Sequence, residues 1–266
     1  MITPTPDDEA ALEATKAPLM EHLVELRSRL IWSVIAFGVA FGVSFYFAKD
    51  IYYFLQLPLG RATGKPQIFT ALGEVFFSYV KLGMFGGLCL SFPIIAGQLW
   101  MFIAPGLYKH ERNALLPFLL LAPLLFLAGA GFAYYVLLPF AIHFFLGYQT
   151  ADIQLQSKVG EYLDLVIKII LAFGLTFQMP VLLGLLGKVG ILTAKQLRDM
   201  RRFAIVGMFA VAAVVTPPDP ISMLSLAFPL VGLYEVSILW VAIYDRRRAR
   251  EQAEREAREA AEAAAS

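Results

Sequence analysis

The sequence predicts an all-α protein that crosses a membrane several times, and three observations support this prediction. Hydrophobic residues make up 59% of the chain and charged residues only 16%, whereas soluble domains are about half apolar and a quarter charged. Long uncharged apolar runs alternate with short segments that hold the charges. Lysine and arginine are distributed unequally between alternate segments, which is the pattern that orients a membrane protein.

Each predicted membrane span is an apolar run near the roughly 17–25 residues that a helix needs to cross the hydrocarbon core. The six runs cover residues 30–48, 80–102, 114–138, 162–186, 203–215 and 221–243. The fifth is short, so we expect either an earlier start or a thinner bilayer around it. Three prolines within residues 216–220 cannot continue a helix, which predicts a tight turn between the last two spans.

The basic residues predict the orientation. With the N-terminus inside, sixteen of the 22 lysines and arginines lie in cytoplasmic segments and six on the opposite side. Six spans then return the C-terminus to the cytoplasm. The first ~20 residues lack the basic start of a signal peptide, so we expect the first span to remain as an anchor. The predicted divisions are a polar segment at 1–18, a membrane domain at 19–245 and a charged tail at 246–266.

Two further expectations concern local structure. The first outer loop covers residues 49–79 and ends in an amphipathic run at 69–77, which predicts a short helix on the outer surface. In the first span, Gly38 and Gly42 offer a small-residue face for another helix. The Arg/Glu/Ala tail is compatible with a fraying helix, with disorder, or simply with a solvated charged segment that fixes the topology.

Two acidic residues on the cytoplasmic side have two interpretations each. Glu25 and Arg29 are spaced i, i+4 before the first span, so they either pair with each other or leave Glu25 to accept a partner's guanidinium. Glu111 follows the helix stop at Pro105-Gly106 and is the only acid in its loop. It either balances local charge or forms an acidic pair with Glu25 that binds two arginines.

Polar residues within or between the spans also need an explanation. We expect Asp164 and Lys168, spaced i, i+4, to neutralise each other. Gln178 is suited to a hydrogen bond between helices. Glu235 is either a functional site, because a buried charge in a membrane is costly, or an interfacial anchor. Asp219, within the proline turn, is more typical of a turn residue than of a site.

The residues predict no enzyme activity and no cofactor. His22, His110 and His143 lie in separate segments, so no metal-binding spacing is present in the sequence. No serine or cysteine has a plausible base, and the single Cys89 is suited to packing. The glycine-rich stretch at residues 60–66 lacks the spacing and the Ser/Thr of a phosphate loop.

Several motifs together resemble the TatC family, the large subunit of the twin-arginine protein translocase. The first is His22-Leu-Val-Glu25-Leu-Arg27-Ser-Arg29-Leu, and the second is Phe102-Ile-Ala-Pro-Gly-Leu-Tyr108-Lys-His-Glu111-Arg. Further matches, in family order, are residues 173–181, 197–202 and 216–219. The resemblance covers residues 19–244.

The resemblance implies a receptor for folded precursor proteins whose signal peptides carry consecutive arginines, in the cytoplasmic (inner) membrane. It implies transport driven by the proton-motive force, with single-span TatA- and TatB-type subunits, membrane lipid and self-association as partners, and no nucleic acid. Glu25 and Glu111 would bind the arginines, with Arg27, Phe102 and Tyr108 shaping that site.

The same resemblance assigns three further positions. Pro58 and Asp219 match outer-side positions that are important in the family. Gln178 occupies the polar position of the fourth span, where relatives carry Glu or Gln, and a glutamine carries no proton. Lys168 departs from the apolar or small residue expected there.

Two functions of other classes remain as alternatives. One is a small-solute transporter with a site at Gln178 and Glu235, although no internal repeat is visible in the sequence. The other is an assembly scaffold without a transport role of its own.

Overall fold

The computed structural model describes residues 6–103, 116–150, 155–215 and 220–265. This part of the chain consists of helices, loops and one isolated β-bridge, which confirms the all-α class. The helices are α1 (Pro6–Tyr46), α2 (Ala48–Thr63), α3 (Glu74–Ile103), α4 (Leu116–Phe132), a π-helical turn (Ala133–Leu137), α5 (Leu138–Leu146), α6 (Val159–Thr176), α7 (Met179–Val189), α8 (Ala194–Asp199), α9 (Arg201–Val215) and α10 (Pro220–Ala265).

Five helical stretches in the described residues are long and apolar enough to cross a membrane. They are Leu23–Tyr46, Glu74–Leu99, Leu119–Leu146, Val159–Lys188 and Met223–Arg258. Each overlaps one predicted span, so the chain is a multi-span membrane protein. The remaining predicted span lies in α9, whose 15 residues extend about 22 Å, less than the ~30 Å hydrocarbon core. The count of six spans and the orientation of the termini therefore stay predictions, and below "outer" and "inner" denote the predicted sides.

Close approach between α1 and α3 depends on glycines of α3. A Cβ atom at Gly87 would lie 2.8 Å from the Cα of Phe41, so only glycine allows this contact between the helices. The predicted face of Gly38 and Gly42 on α1 is different, because a Cβ at either position would meet nothing within 4 Å. The packing of α1 on α3 therefore does not use that face.

The fourth predicted span is broken in its middle. Helix α6 ends at Thr176 and α7 begins at Met179, with Pro180 in the first turn of α7. A proline ring clashes with the carbonyl four residues earlier, which here belongs to Thr176, and it supplies no N–H. The break places Gln178 at the N-cap of α7, where its side chain can reach a neighbouring helix.

The amphipathic helix of the first outer loop lies elsewhere than predicted. It is α2, which buries Ala48, Leu55 and Leu59 on one face, and it ends at Gly64, whose φ of 64° suits a residue without a Cβ. Residues 69–77 do not form a separate helix, because 69–73 are loop and α3 begins at Glu74.

The Glu74 carboxylate connects the two outer loops through hydrogen bonds. One carboxylate oxygen accepts from the Thr70 N–H at 2.8 Å, and the other accepts from the Gly160 N–H at 3.0 Å. Beside it, the Ile68 N–H donates to the Ser157 carbonyl and the Val159 N–H donates to the Ile68 carbonyl. The starts of α3 and α6 are thereby joined to each other and to the loop after α2.

The tail begins as a docked helix. Helix α10 continues without interruption to Ala265, so residues 246–265 are helical. The Arg248 side chain donates a 2.6 Å hydrogen bond to the Lys188 carbonyl at the end of α7. The carboxylate of Asp245 accepts from the Ala194 N–H, the first of α8, at 2.8 Å. Residues 251–258 are exposed.

Candidate functional site

Glu25 lies on α1 near the inner end of the first span and is paired within its own helix. The Arg29 Nε donates to Glu25 Oε1 at 3.0 Å, and Arg29 Nη2 donates to the same oxygen. The two side chains are only 30% and 22% exposed. The i, i+4 pairing that the sequence suggested is therefore present, and it holds the carboxylate in a fixed, partly desolvated position.

A cavity of about 520 Å³ adjoins this pair. Its walls come from α1 and α3, and its lining residues are Val24, Glu25, Ser28, Arg29, Trp32 and Gln98. Ser28, Arg29 and Trp32 follow Glu25 at i+3, i+4 and i+7, which places all four on one face of α1. Gln98 supplies a side-chain amide from α3.

The remaining predicted residues of this site are distributed as follows. Phe102 is partly buried on α3, one turn after Gln98, so it extends the same face of that helix. Arg27 is exposed and is not among the residues that line the cavity. Tyr108 and Glu111 lie outside the described residues.

The cavity is chemically suited to a guanidinium group. A carboxylate, a hydroxyl and an amide oxygen accept hydrogen bonds, and a guanidinium offers five N–H donors in a rigid fork. The ring of Trp32, which is 59% exposed, offers a face on which a planar cation stacks. An incoming arginine would compete with Arg29 for Glu25 Oε1, since Arg29 already bonds that oxygen.

Gln178 makes the hydrogen bond between helices that the sequence suggested. Its Nε2 donates to the Ala122 carbonyl of α4 at 2.9 Å and approaches the Gly174 carbonyl at 3.5 Å. The amide thus connects α4 to the break between α6 and α7. This hydrogen bond gives Gln178 a role in holding the helices together.

Glu235 on α10 is paired with Arg201, the first residue of α9. Arg201 Nε lies 2.8 Å from one carboxylate oxygen and Arg201 Nη2 lies 2.8 Å from the other. This two-point geometry favours the anchoring interpretation of Glu235, with Arg201 as the partner.

Asp164 is not neutralised by Lys168, contrary to the sequence-based expectation. Both of its carboxylate oxygens accept from Lys81 Nζ of α3, at 2.6 and 2.9 Å. The i, i+4 rule considers only one helix, and the cation from the neighbouring helix takes the carboxylate instead.

Pro58 lies inside α2 and leaves one carbonyl of that helix without its usual backbone donor. Because proline has no N–H, the Phe54 carbonyl lacks its usual helical donor. The Tyr134 hydroxyl of the π-helical turn donates to that carbonyl at 2.6 Å. The Tyr162 hydroxyl of α6 donates to the next carbonyl, that of Leu55, at 2.8 Å. The Tyr134 and Tyr162 hydroxyls thus both hold α2, and the first of these bonds uses the carbonyl that Pro58 frees. Asp219, the other predicted outer residue, lies outside the described residues.

Sequence reasoning missed Trp32, Gln98 and Tyr134. The i+7 spacing from Glu25 could have indicated Trp32, because it lies two turns further along the same helix face. For Gln98 and Tyr134 no signal exists within their own segments, since their contacts join distant parts of the chain.

Comparisons with known proteins point to one family. Residues 21–229 match the family described as Sec-independent protein translocase protein (TatC). The chain is 47% identical to the Sec-independent protein translocase protein TatC of Magnetococcus marinus over 250 residues, which are 93% of this chain and 92% of the relative. It is 39% identical to the protein of the same name from Escherichia coli K12, over 85% of this chain and 89% of the relative.

The fold is also similar to a solved structure. A crystal structure described as the twin-arginine translocase receptor TatC superposes with a TM-score of 0.78 at 38% sequence identity. The match covers 84% of this chain and 99% of the other.

Proposed function

Since the chain belongs to the TatC family of Sec-independent protein translocases, we propose that it is the receptor subunit of a twin-arginine translocase and that the cavity beside Glu25 binds the signal-peptide arginines. The observation that carries this proposal is the fixed Glu25 carboxylate in a cavity with Trp32 and Gln98. The family's role is transport of proteins, so the chain is a transport component and not an enzyme.

Recognition of paired arginines follows from the geometry of the acceptors. A guanidinium binds a carboxylate through two parallel N–H donors, whereas a lysine ammonium acts as a point charge. Partial burial of Glu25 strengthens this preference, because water competes less for the carboxylate. Glu111, which lies between α3 and α4 in the sequence, is the proposed acceptor for the second arginine, and Arg27, Phe102 and Tyr108 are proposed to shape the same site.

Arg29 supplies a guanidinium to the Glu25 carboxylate. It bonds Glu25 Oε1, so a signal-peptide arginine meets a carboxylate that already has a cationic donor. Binding then exchanges one guanidinium for another or shares the carboxylate between two. Such an exchange costs less than exposing a partly buried charge without a partner.

The receptor acts in an assembly at the cytoplasmic membrane. We place both termini in the cytoplasm and propose six spans, with α9 as the fifth, so that Glu25 and Glu111 face incoming precursors. The proposed partners are TatA- and TatB-type single-span subunits and further copies of the chain, and the proton-motive force drives transport. Outer-side residues Pro58 and Asp219 act in this assembly away from the signal-peptide site.

A small-solute transport site at Gln178 and Glu235 is disfavoured by their contacts. Gln178 bonds the Ala122 carbonyl and Glu235 bonds Arg201. The two residues therefore serve different pairs of helices and do not form a common polar site.

Site-specific photocrosslinking tests the proposal. A photoreactive residue at Trp32 or Gln98 should crosslink to a precursor with an Arg-Arg signal peptide in membrane vesicles that contain the small subunits. The same residue at Leu30, which is 61% exposed on another face of α1, serves as the control and should give little product. Equal crosslinking from Leu30, or equal crosslinking to a Lys-Lys precursor, would contradict the proposed site.

Substitution provides an independent test. Glu25→Ala or Glu111→Ala should abolish or severely weaken precursor binding while the protein still inserts into the membrane. Wild-type crosslinking in both variants would refute the assignment of these carboxylates.

A further inference from the structure

Lys168 on α6 is a cation without a counter-charge in the part of the chain that the structure describes. It is exposed, and the acid nearest to it on the same helix face, Asp164, gives both carboxylate oxygens to Lys81. The three side chains together therefore carry one net positive charge. A charge inside a membrane is costly unless a partner neutralises it, so Lys168 calls for an anion from outside this part of the chain.

The three charges border a groove of about 390 Å³ between α1, α3 and α6. Apart from these charges its walls are apolar, formed by Phe37, Met84, Phe85, Leu88, Ile167 and Leu171. Met84 is 51% exposed, so this wall is open to a neighbouring molecule. The groove thus combines an apolar surface for a hydrophobic helix with one positive charge.

The depth of Lys168 limits which anion can reach it. Helix α6 begins at Val159, and at 1.5 Å per residue the Lys168 Cα lies about 13 Å further along the span. Side chains on a helix lean toward its N-terminus, so the ammonium lies roughly 8–13 Å below the level of Val159. The head group of a lipid stays near the membrane surface, whereas a carboxylate on a transmembrane helix is held at whatever depth its position in the helix dictates.

From the unmatched charge, the apolar walls and the depth, we infer that this groove binds a transmembrane helix of a partner protein through an acidic residue that pairs with Lys168. The acid lies about six to nine residues from the outer end of the partner helix, which brings its carboxylate to the level of the ammonium. The groove lies beside the first half of α3 and the cavity at Glu25 lies beside its last turns, and this inference does not depend on the proposed signal-peptide site.

The experiment uses the full chain in phosphatidylcholine nanodiscs with a photoreactive residue at Met84. The probe is a synthetic Leu/Ala transmembrane peptide with one Glu eight residues from its outer end. A matched peptide carries Gln at that position, and a second carries the Glu in its inner half. Crosslinking to the first peptide should exceed crosslinking to either control by roughly tenfold or more, as expected for a desolvated charge pair.

Substitutions at the lysine identify the contact. Lys168→Met should reduce the crosslinking yield of the Glu peptide to that of the Gln peptide. Lys168→Arg should keep the yield of the Glu peptide above that of the Gln peptide. The control Lys158→Met removes an outer lysine that pairs with Glu161 and should change nothing. Lys168→Met removes an unmatched charge, so it should fold, and unchanged signal-peptide crosslinking from Gln98 would verify this.

Three results would overturn the inference. The first is equal crosslinking of the Glu and Gln peptides, and the second is stronger crosslinking of the Glu peptide that survives Lys168→Met. The third is Lys168-dependent crosslinking of Met84 to phosphatidylglycerol, when that lipid is added, in place of the peptide. This third result would identify the groove as a site for anionic lipid.

Discussion

The Tyr134 hydroxyl donates a 2.6 Å hydrogen bond to a carbonyl that Pro58 leaves without its helical donor, that of Phe54. A proline inside α2 would otherwise weaken the helix. Here it creates an acceptor that fixes α2 to the π-helical turn after α4. Pro58 is therefore understandable as part of the attachment between the outer helix and the membrane domain.

Removal of the Tyr134 hydroxyl should destabilise the protein more when residue 58 is proline than when it is alanine. Tyr134→Phe removes the donor to the Phe54 carbonyl, and loss of such a hydrogen bond costs about 0.5–1.5 kcal/mol. In a Pro58→Ala background the new N–H at residue 58 supplies the bond, so the same substitution should cost less. Thermal unfolding of the four proteins in nanodiscs measures the difference.

Tyr135→Phe is the matched control, because Tyr135 is adjacent and 70% exposed; it should have little effect. An equal loss on Tyr134→Phe with proline or alanine at residue 58 would show that the two residues are not coupled.

Gln178→Leu should destabilise the contact of α4 with the broken fourth span. It removes the 2.9 Å bond to the Ala122 carbonyl, and hydrogen bonds between membrane helices are worth about 0.6 kcal/mol on average, up to about 1.7. The free energy of unfolding, measured in detergent or bicelles, checks this. Thr176→Val, which removes a bond to the Ala172 carbonyl within α6, is the control and should leave the α4 contact intact.

Charge exchange distinguishes the two interpretations of Glu235. Both partners of the Arg201–Glu235 pair are substantially exposed, so we expect a coupling of about 0.2–1 kcal/mol. Arg201→Glu and Glu235→Arg should each lower stability, and the double variant should recover stability and precursor export. Loss of export in Glu235→Gln that the exchanged pair does not restore would instead assign Glu235 a functional role.

Alanine substitutions of glycines should separate the packed face of α3 from the open face of α1. Gly87→Ala places a Cβ 2.8 Å from the Cα of Phe41, and overpacking of this kind costs about 1–3 kcal/mol. Gly38→Ala and Gly42→Ala meet nothing and should be neutral or up to about 1 kcal/mol stabilising in the isolated protein. The unfolding midpoint of each of the three variants should be compared with that of the wild type. Equal shifts in all three would contradict the close packing of Gly87 against Phe41.

The sequence predicted those features that depend on local composition. Apolar length located the spans. The break within the fourth span was not predicted, although Pro180 marks it in the sequence. The prediction of the outer helix at residues 69–77 is wrong because α2 follows α1 almost directly and contains Pro58, so no boundary in the sequence marks its start. Contacts between residues that are far apart in the sequence cannot be predicted from local composition. Lys81 pairs with Asp164 and Arg201 with Glu235 because the fold brings separate helices together, and the i, i+4 rule does not extend to them.

Part of the proposed site follows from the sequence. The resemblance of the motif around residue 25 assigns Glu25 to it, and the pairing of Glu25 with Arg29 follows from helical spacing. The cavity itself requires α3 beside α1, and that arrangement depends on Gly87, whose close contact with Phe41 has no signature in the motif.

The most direct test of the central claim measures how strongly the protein distinguishes two signal peptides. Equilibrium binding of Arg-Arg and Lys-Lys peptides should be compared for the wild type, Glu25→Gln and the control Glu161→Gln, which alters an exposed carboxylate at the outer end. We predict at least about tenfold preference for Arg-Arg in the wild type and in the control, and a clearly smaller ratio in Glu25→Gln, where only Glu111 remains to accept an arginine. An undiminished preference in Glu25→Gln would contradict the assignment of this cavity as the arginine-binding site.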